Sequence, residues 1–124
     1  MTQIRVMRSF VSTDAFADEI KQAYDVQGEI SCKFFSKMLR TQDNDHYLVE
    51  TANGRYVARL YQHDLHLGRT ESDYQFELAW LRFLNERGVH VSHPMKRADG
   101  SYLGSVEAPE GIRYYAVFSF APGK

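Results

Sequence analysis

The chain has 124 residues, a length that fits one compact domain and leaves no room for two. Apolar residues make up 44% of the sequence and charged residues 25%, a balance typical of folded globular proteins rather than disordered ones. The formal net charge of −1 gives nucleic acid or an anionic membrane no electrostatic reason to bind.

Cysteine usage and the distribution of apolar residues point to a reducing compartment. Cys32 is the single cysteine, which excludes an intrachain disulfide and makes a structural zinc cluster unlikely on chemical grounds. The first residues lack the apolar core of a signal peptide, and no run of 18 apolar residues occurs. We therefore expect a cytoplasmic protein.

The first segment with helical periodicity runs from Thr13 to Tyr24. Phe16 and Ile20 recur at helical spacing among charged residues, and Gly28 then interrupts the pattern. We expect residues 1–29 to form an N-terminal helical segment, followed by a sheet and a second helix over residues 30–124.

Three strands are predicted after this helix, over residues 31–40, 46–51 and 55–61, because apolar and polar side chains alternate there. Residues 41–45 are predicted to form a polar turn. Asn53-Gly54 predicts that the second and third strands form an antiparallel hairpin through a type I′ turn.

A second helix is predicted over residues 70–87, with Thr70 and Asp73 as a cap and Gly88 as a left-handed stop. Two further strands follow, over residues 102–107 and 112–120. This order predicts an α+β fold, with a mostly antiparallel five-stranded sheet and both helices packed on one side of it.

The familiar motifs of catalysis and metal binding do not occur in the sequence. It contains no zinc motif, no phosphate-binding loop of the Walker type and no nucleophile elbow. His63 and His66 have a spacing that could bind a metal, but no third ligand is evident, and we expect exposed loop histidines and no metal site.

Arg59 is the more informative polar residue, because it lies inside an otherwise apolar strand. Alternation places it on the same face as Val57 and Tyr61, where its charge must reach water or meet a partner. Glu77 is the carboxylate on the apolar face of the following helix. Spacing alone leaves two interpretations open, an ion pair between these residues or two side chains that never meet.

Taken in order, several short motifs resemble the small lobe of the aminoglycoside-phosphotransferase and choline-kinase-like group, which are relatives of the protein kinases. The resemblance runs from about Ile30 to the end of the chain. The matching pieces are Asn44-x-x-Tyr47-x-Val49, then Asn53-Gly54-Arg55-Tyr56-Val57-Ala58-Arg59-Leu60-Tyr61, Glu77-x-x-Trp80-Leu81-x-x-Leu84, Gly88-Val89-x-Val91-x-x-Pro94, and Tyr114-Tyr115-Ala116-Val117-Phe118-Ser119-Phe120-Ala121-Pro122-Gly123.

The resemblance implies that Arg59 is the strand cation that holds nucleotide phosphates and that Glu77 orients it. It also implies that Val57 lines the adenine pocket and that residues 118–121 form the hinge beside adenine. The implied nucleotide-binding residues are Asn44, Val49, Val57, Arg59, Glu77, Ser119 and Phe120. Two departures from the protein-kinase pattern are an arginine in place of lysine and a loop at residues 41–45 without glycine.

The resemblance further implies ATP as cofactor, with magnesium and the catalytic loop supplied by a carboxyl-terminal lobe that this chain lacks. We accordingly expect an acceptor hydroxyl on a small molecule or protein, and no catalysis by this chain alone. Separation from that lobe should expose apolar surface around Phe118 and Phe120 and lead to self-association. The alternative is a non-catalytic α+β binding or dimerisation module with a vestigial kinase-lobe fold.

Overall fold

A computed structural model of the protein describes residues 11–34, 45–61 and 70–120. The predicted turn at 41–44, the second half of the first predicted strand, and His63 and His66 lie outside these residues. The described elements, in chain order, are α1 (Thr13–Ala23), β1 (Ile30–Phe34), β2 (Asp45–Thr51), β3 (Gly54–Leu60), α2 (Glu71–Glu86), β4 (Gly104–Ala108) and β5 (Gly111–Ser119).

The five strands form one sheet in the order β1-β2-β3-β5-β4, and each neighbouring pair is antiparallel. The predicted α+β fold with a five-stranded antiparallel sheet is confirmed. The strands β2 and β3 are adjacent as the hairpin signal predicted, with Leu48 opposite Val57 and Thr51 opposite Gly54.

The turn of that hairpin differs from the prediction. Its loop residues are Ala52 and Asn53, and among the described residues that are not glycine only Asp25 has a positive φ. Gly54 alone provides the left-handed backbone at this turn, with φ 139°. The type I′ assignment is therefore wrong, because that turn needs positive φ at both central residues.

Both helices begin with side-chain caps that satisfy unpaired amide groups of the first turn. At α1 the Ser12 hydroxyl accepts a hydrogen bond from the Ala15 N–H at 3.1 Å. At α2 the Asp73 carboxylate accepts one from the Thr70 N–H at 2.8 Å, as predicted, and Gly88 follows the helix with φ 83°. Among the described helices, none is long and apolar enough to cross a membrane.

The two helices lie on opposite faces of the sheet, so the prediction that they share one side is wrong. Phe16 and Ile20 of α1 pack in one apolar cluster with β-strand residues that include Tyr115 and Val117. Leu78 of α2 packs in a second cluster, with Leu81 against it, on the alternate β5 residues Ala116 and Phe118. The apolar sets of β5 thus serve both faces, and the sheet is a central layer between two helices. Along β5, Tyr115 and Val117 face α1, whereas Ala116 and Phe118 face α2.

Arg113 and Asp45 form a buried ion pair on the α1 face of the sheet. The Arg113 guanidinium is fully buried and lies 3.1 Å from the Asp45 carboxylate, which is 6% exposed. Arg113 also donates to the Tyr61 carbonyl at 2.8 Å. Asp45 is therefore the first residue of β2 and an internal ion partner, not part of a solvated turn as predicted.

Candidate functional site

Arg59 of β3 and Glu77 of α2 form an ion pair on the α2 face of the sheet. The Arg59 Nη1 atom donates to the Glu77 Oε1 atom at 2.8 Å, so the expected approach of the two side chains is confirmed. The side chains are 31% and 40% exposed, which leaves the pair open to solvent on one side. Strand alternation places Arg59 toward α2, and helix α2 presents Glu77 above it.

Two aromatic rings also contact the Arg59 guanidinium. Its central carbon lies 4.8 Å from the ring centroid of Phe118 and 5.9 Å from that of Tyr61, within the range of cation–π attraction. Burial, and secondarily the negative charge of Glu77, raises the pKa of Tyr61 to about 12. Tyr61 therefore stays neutral at physiological pH, and it contributes an aromatic surface to the site but no charge.

An apolar patch adjoins Arg59 along the same face. Val57 is paired with Leu48 on β2 and with Phe118 on β5, so the three side chains lie side by side across three strands. The sequence prediction included Val57 here but missed Leu48. The alternation of β2 could have identified Leu48, because it places Leu48 on the opposite face of the sheet from Tyr47 and Val49.

The structure does not bring Val49 to this site. Val49 is 1% exposed and packs on the α1 face, away from Arg59. There it lines a cavity of about 200 Å³ together with Ile20 and Val117. This cavity has no part in the Arg59 site, and a nucleotide role for Val49 does not fit its position.

The predicted hinge residues are held in different ways. The Ser119 N–H donates to the His93 carbonyl at 2.9 Å, and the Ser119 hydroxyl accepts from the His93 N–H at 3.1 Å. The Ser119 amide is therefore already used within the fold and is not free for adenine. The Phe120 ring lies under the Arg55 guanidinium at 5.0 Å, at the end of β5. Asn44 lies outside the described residues.

Exposed apolar surface was expected around Phe118 and Phe120, but Phe118 is only 2% exposed and Phe120 is half-buried. Helix α2 covers Phe118 through Leu78, and the Arg59 guanidinium lies over its ring. The large exposed apolar side chains of the described residues instead include Phe76, Trp80 and Phe83 of α2.

A family model for the phosphotransferase enzyme family matches residues 37–124. An uncharacterized protein of Synechocystis sp. is 39% identical over 116 residues, which cover 93% of this chain and 30% of that protein. A homoserine kinase of Sinorhizobium fredii is 33% identical over 116 residues, which cover 91% of this chain and 32% of the kinase. The chain thus spans about a third of the length of these relatives.

Two solved structures share the fold. A microcompartment-associated aminopropanol kinase superposes with a TM-score of 0.70 at 23% identity, over 89% of this chain and 32% of that one. An amicoumacin kinase in complex with AMP-PNP, Ca²⁺ and Ami superposes with a TM-score of 0.69 at 20% identity, over 92% of this chain and 32% of that one. The sheet with a helix on each face is therefore a kinase-like fold, and with the family match over residues 37–124 the chain belongs to the phosphotransferase enzyme family.

Proposed function

We propose that this chain is the nucleotide-binding lobe of an ATP-dependent phosphotransferase and that Arg59 contacts the ATP phosphates. The observation that carries the proposal is the 2.8 Å hydrogen bond between Arg59 and Glu77 on the open α2 face. Phosphoryl transfer depends on positioned positive charge, and a strand cation held by a helix carboxylate supplies it.

The geometry leaves Arg59 able to bind an anion while it is held by Glu77. A guanidinium has five N–H donors, and the hydrogen bond to Glu77 engages one nitrogen, Nη1. The remaining donors form a planar fork that matches two phosphate oxygens. The Phe118 ring contacts the guanidinium, with its centroid 4.8 Å from the central carbon. We infer that Leu48 and Val57 provide apolar contact for the adenine beside it.

In the described part of the chain, no group of three or more His, Cys, Asp or Glu side chains is arranged to hold a metal ion such as magnesium. Because the chain spans about a third of the length of its relatives, we propose that the metal ligands, the catalytic base and the acceptor site belong to the remaining two thirds of such a protein. This chain would then bind nucleotide without transferring phosphate. The names of the relatives, homoserine kinase and aminopropanol kinase, support a small hydroxyl-bearing acceptor.

Titration calorimetry with AMP-PNP tests the proposal. We expect Arg59→Ala to weaken AMP-PNP binding by about 10- to 100-fold, because a hydrogen bond to a charged group contributes about 1.5–3 kcal/mol. Adenosine carries no phosphate, so its affinity should not change. Lys21→Ala removes the same charge from the exposed surface of α1, on the other face of the sheet, and is the matched control.

Two results would refute the proposed role. One is AMP-PNP affinity unchanged by Arg59→Ala, and the other is an equal loss for AMP-PNP and adenosine. If the wild-type chain binds no AMP-PNP at all, these residues do not suffice as a nucleotide-binding lobe, which would favour a non-catalytic module.

A further inference from the structure

Helix α2 carries a stripe of exposed aromatic side chains on the side that faces away from the sheet. Phe76 is 74% exposed, Trp80 52% and Phe83 42%. The helix buries its opposite side through Tyr74 and Leu78. The Trp80 and Phe83 rings stack with their centroids 5.6 Å apart, and Phe76 lies one helical turn before Trp80 on the same side.

Such a stripe is unusual on a surface that faces only water. Large aromatic side chains contribute much of the binding energy of protein interfaces, and contiguous exposed apolar patches mark interaction sites. The stripe takes no part in the Arg59 site, because Glu77 and Leu78 point from other sides of the helix to the sheet. Three large exposed aromatic side chains on one helix face therefore indicate a surface that binds a partner.

The spacing of the stripe is that of a helix–helix seam. Asp73, Phe76, Trp80, Phe83 and Arg87 follow each other at intervals of three, four, three and four residues. This alternation is the heptad pattern by which two helices pack along each other. The seam has an acidic residue at its amino end, a basic residue at its carboxyl end and three aromatic residues between them.

The charges make this seam complementary to itself in one orientation. Asp73 lies seven residues before Trp80 and Arg87 seven residues after it. A twofold axis through Trp80 therefore places Asp73 against Arg87 of a second copy and Phe76 near Phe83 of that copy. Parallel pairing would place Asp73 against Asp73 and Arg87 against Arg87, which is repulsive at both ends.

The side chains at both ends are compatible with this pairing. The two capping hydrogen bonds of Asp73 use Oδ2, which leaves Oδ1 for a cation. Arg87 lies over the Phe83 ring with its central carbon 4.7 Å from the centroid, at the edge of the aromatic stripe. We propose that the α2 stripe is a homodimerisation surface, formed by antiparallel pairing of two α2 helices about Trp80.

Sedimentation equilibrium of the 124-residue chain over a range of concentrations tests this proposal. A single helix pair is a small interface, so we expect a concentration-dependent dimer of modest affinity. Trp80→Ala together with Phe76→Ser should abolish the dimer, and since both side chains are exposed the fold should survive. Circular dichroism of each variant checks the fold.

Charge reversal tests the orientation. Arg87→Glu alone and Asp73→Lys alone should each weaken the dimer on the order of tenfold or more, because each creates two like-charge pairs. An equimolar mixture of the two variants should restore association, since both pairs are then of opposite charge. Lys21→Glu on α1 makes the same charge change as Arg87→Glu away from the seam and should leave the dimer unchanged.

Asp73→Lys also removes the cap of α2, and the loss of that cap could itself weaken the dimer. The mixture distinguishes the two effects, because the Asp73→Lys chain still lacks the cap there and only the charge pairing is restored. Should that chain fail to fold, the aromatic double variant and Arg87→Glu still decide the question. A wild-type chain that stays monomeric would overturn the proposal, even if another protein bound to Trp80. Single reversals without effect, or a mixture no stronger than its components, would overturn the antiparallel arrangement.

Discussion

The Arg59 guanidinium carbon lies 4.8 Å from the centre of the Phe118 ring, on the strand next to its own. A cation over an aromatic face is attracted by about 0.5–2 kcal/mol, depending on how far the pair is removed from water. This contact and the 2.8 Å hydrogen bond to Glu77 both restrict the guanidinium. Arg59 is therefore held by two groups from two elements before any phosphate arrives.

Phe118→Leu removes the aromatic face and keeps an apolar side chain of similar volume. We expect a stability loss of about 1.5 kcal/mol or less, because volume-conserving core exchanges are tolerated. AMP-PNP affinity should fall several-fold while adenosine affinity stays near its wild-type value, since only phosphate binding depends on the orientation of Arg59. Calorimetry with both ligands gives the comparison, and Phe118→Tyr, which keeps the ring, should retain affinity for both. Equal losses for the two ligands with Phe118→Leu would assign Phe118 a purely packing role.

Glu77→Ala removes the carboxylate that holds Arg59. Because both side chains are partly exposed, at 31% and 40%, the pair should contribute only about 0–1 kcal/mol to the free energy of unfolding. We expect chemical denaturation to show little change and AMP-PNP affinity to fall, since Arg59 must then be ordered by the ligand itself. Glu77→Asp shortens the arm and should give an intermediate affinity. If Glu77→Ala lost much stability but kept normal nucleotide affinity, the ion pair would serve the fold and not the orientation of Arg59.

Local patterns in the sequence predicted most of the elements, whereas the Arg59–Glu77 pair was implied by the resemblance to the kinase lobe, because spacing alone left it open. Alternation in β3 is a strong constraint, because moving Arg59 by one position would place it on the α1 face among buried residues. The placement of α1 was predicted wrongly for a physical reason. Phe16 and Ile20 define an apolar helix side, but nothing local says which face of the sheet that side will cover, since β5 offers apolar residues to both.

Charged residues were the other source of error. Asp45 and Arg113 are 68 positions apart, and each stands in a segment where a charge is normally assigned to solvent. Their pairing depends on strand order in the finished sheet, which no local pattern contains. The Val49 assignment failed for a different reason, because its role was carried over from a motif although local alternation with Leu48 places it on the α1 face.

Asp45→Ala should destabilise the fold strongly. It removes the nearer of two carboxylates from the fully buried Arg113, at 3.1 Å, and leaves Glu110 at 3.9 Å. Removal of one member of a buried ion pair typically costs about 3–5 kcal/mol, and with Glu110 still present we expect the lower end of that range. Chemical denaturation would measure the loss. Glu50→Ala is the matched control, because Glu50 pairs with Lys33 at 3.7 Å where both side chains are exposed, and it should cost about 0–1 kcal/mol. Similar losses for both variants would show that Asp45 is not a special partner for Arg113.

Cys32 should react slowly with thiol reagents in the folded chain. It packs against the α1-face cluster, and burial raises its pKa from 9.0 to about 11. Only the thiolate is nucleophilic, so at pH 8 this higher pKa lowers the reactive fraction roughly a hundredfold relative to the unfolded chain. The rate of iodoacetamide labelling, measured with and without denaturant, gives the ratio. Equal rates in the two states would contradict the burial of this thiol.

The same shift predicts how stability depends on pH. Since the folded chain holds the Cys32 proton more tightly than the unfolded chain, the contribution is fully present below pH 9 and is lost as pH rises through about 11. Cys32→Ser removes this titration, because a serine hydroxyl does not ionise in that range. We therefore expect the free energy of unfolding to fall less steeply between pH 9 and 11 in Cys32→Ser than in the wild type. Tyr61, whose pKa burial raises from 10.0 to about 12, lowers stability from about pH 10 upward in both proteins alike and is a shared background for the comparison. Identical slopes in the two proteins would mean that Cys32 ionises equally easily in the folded and unfolded chains.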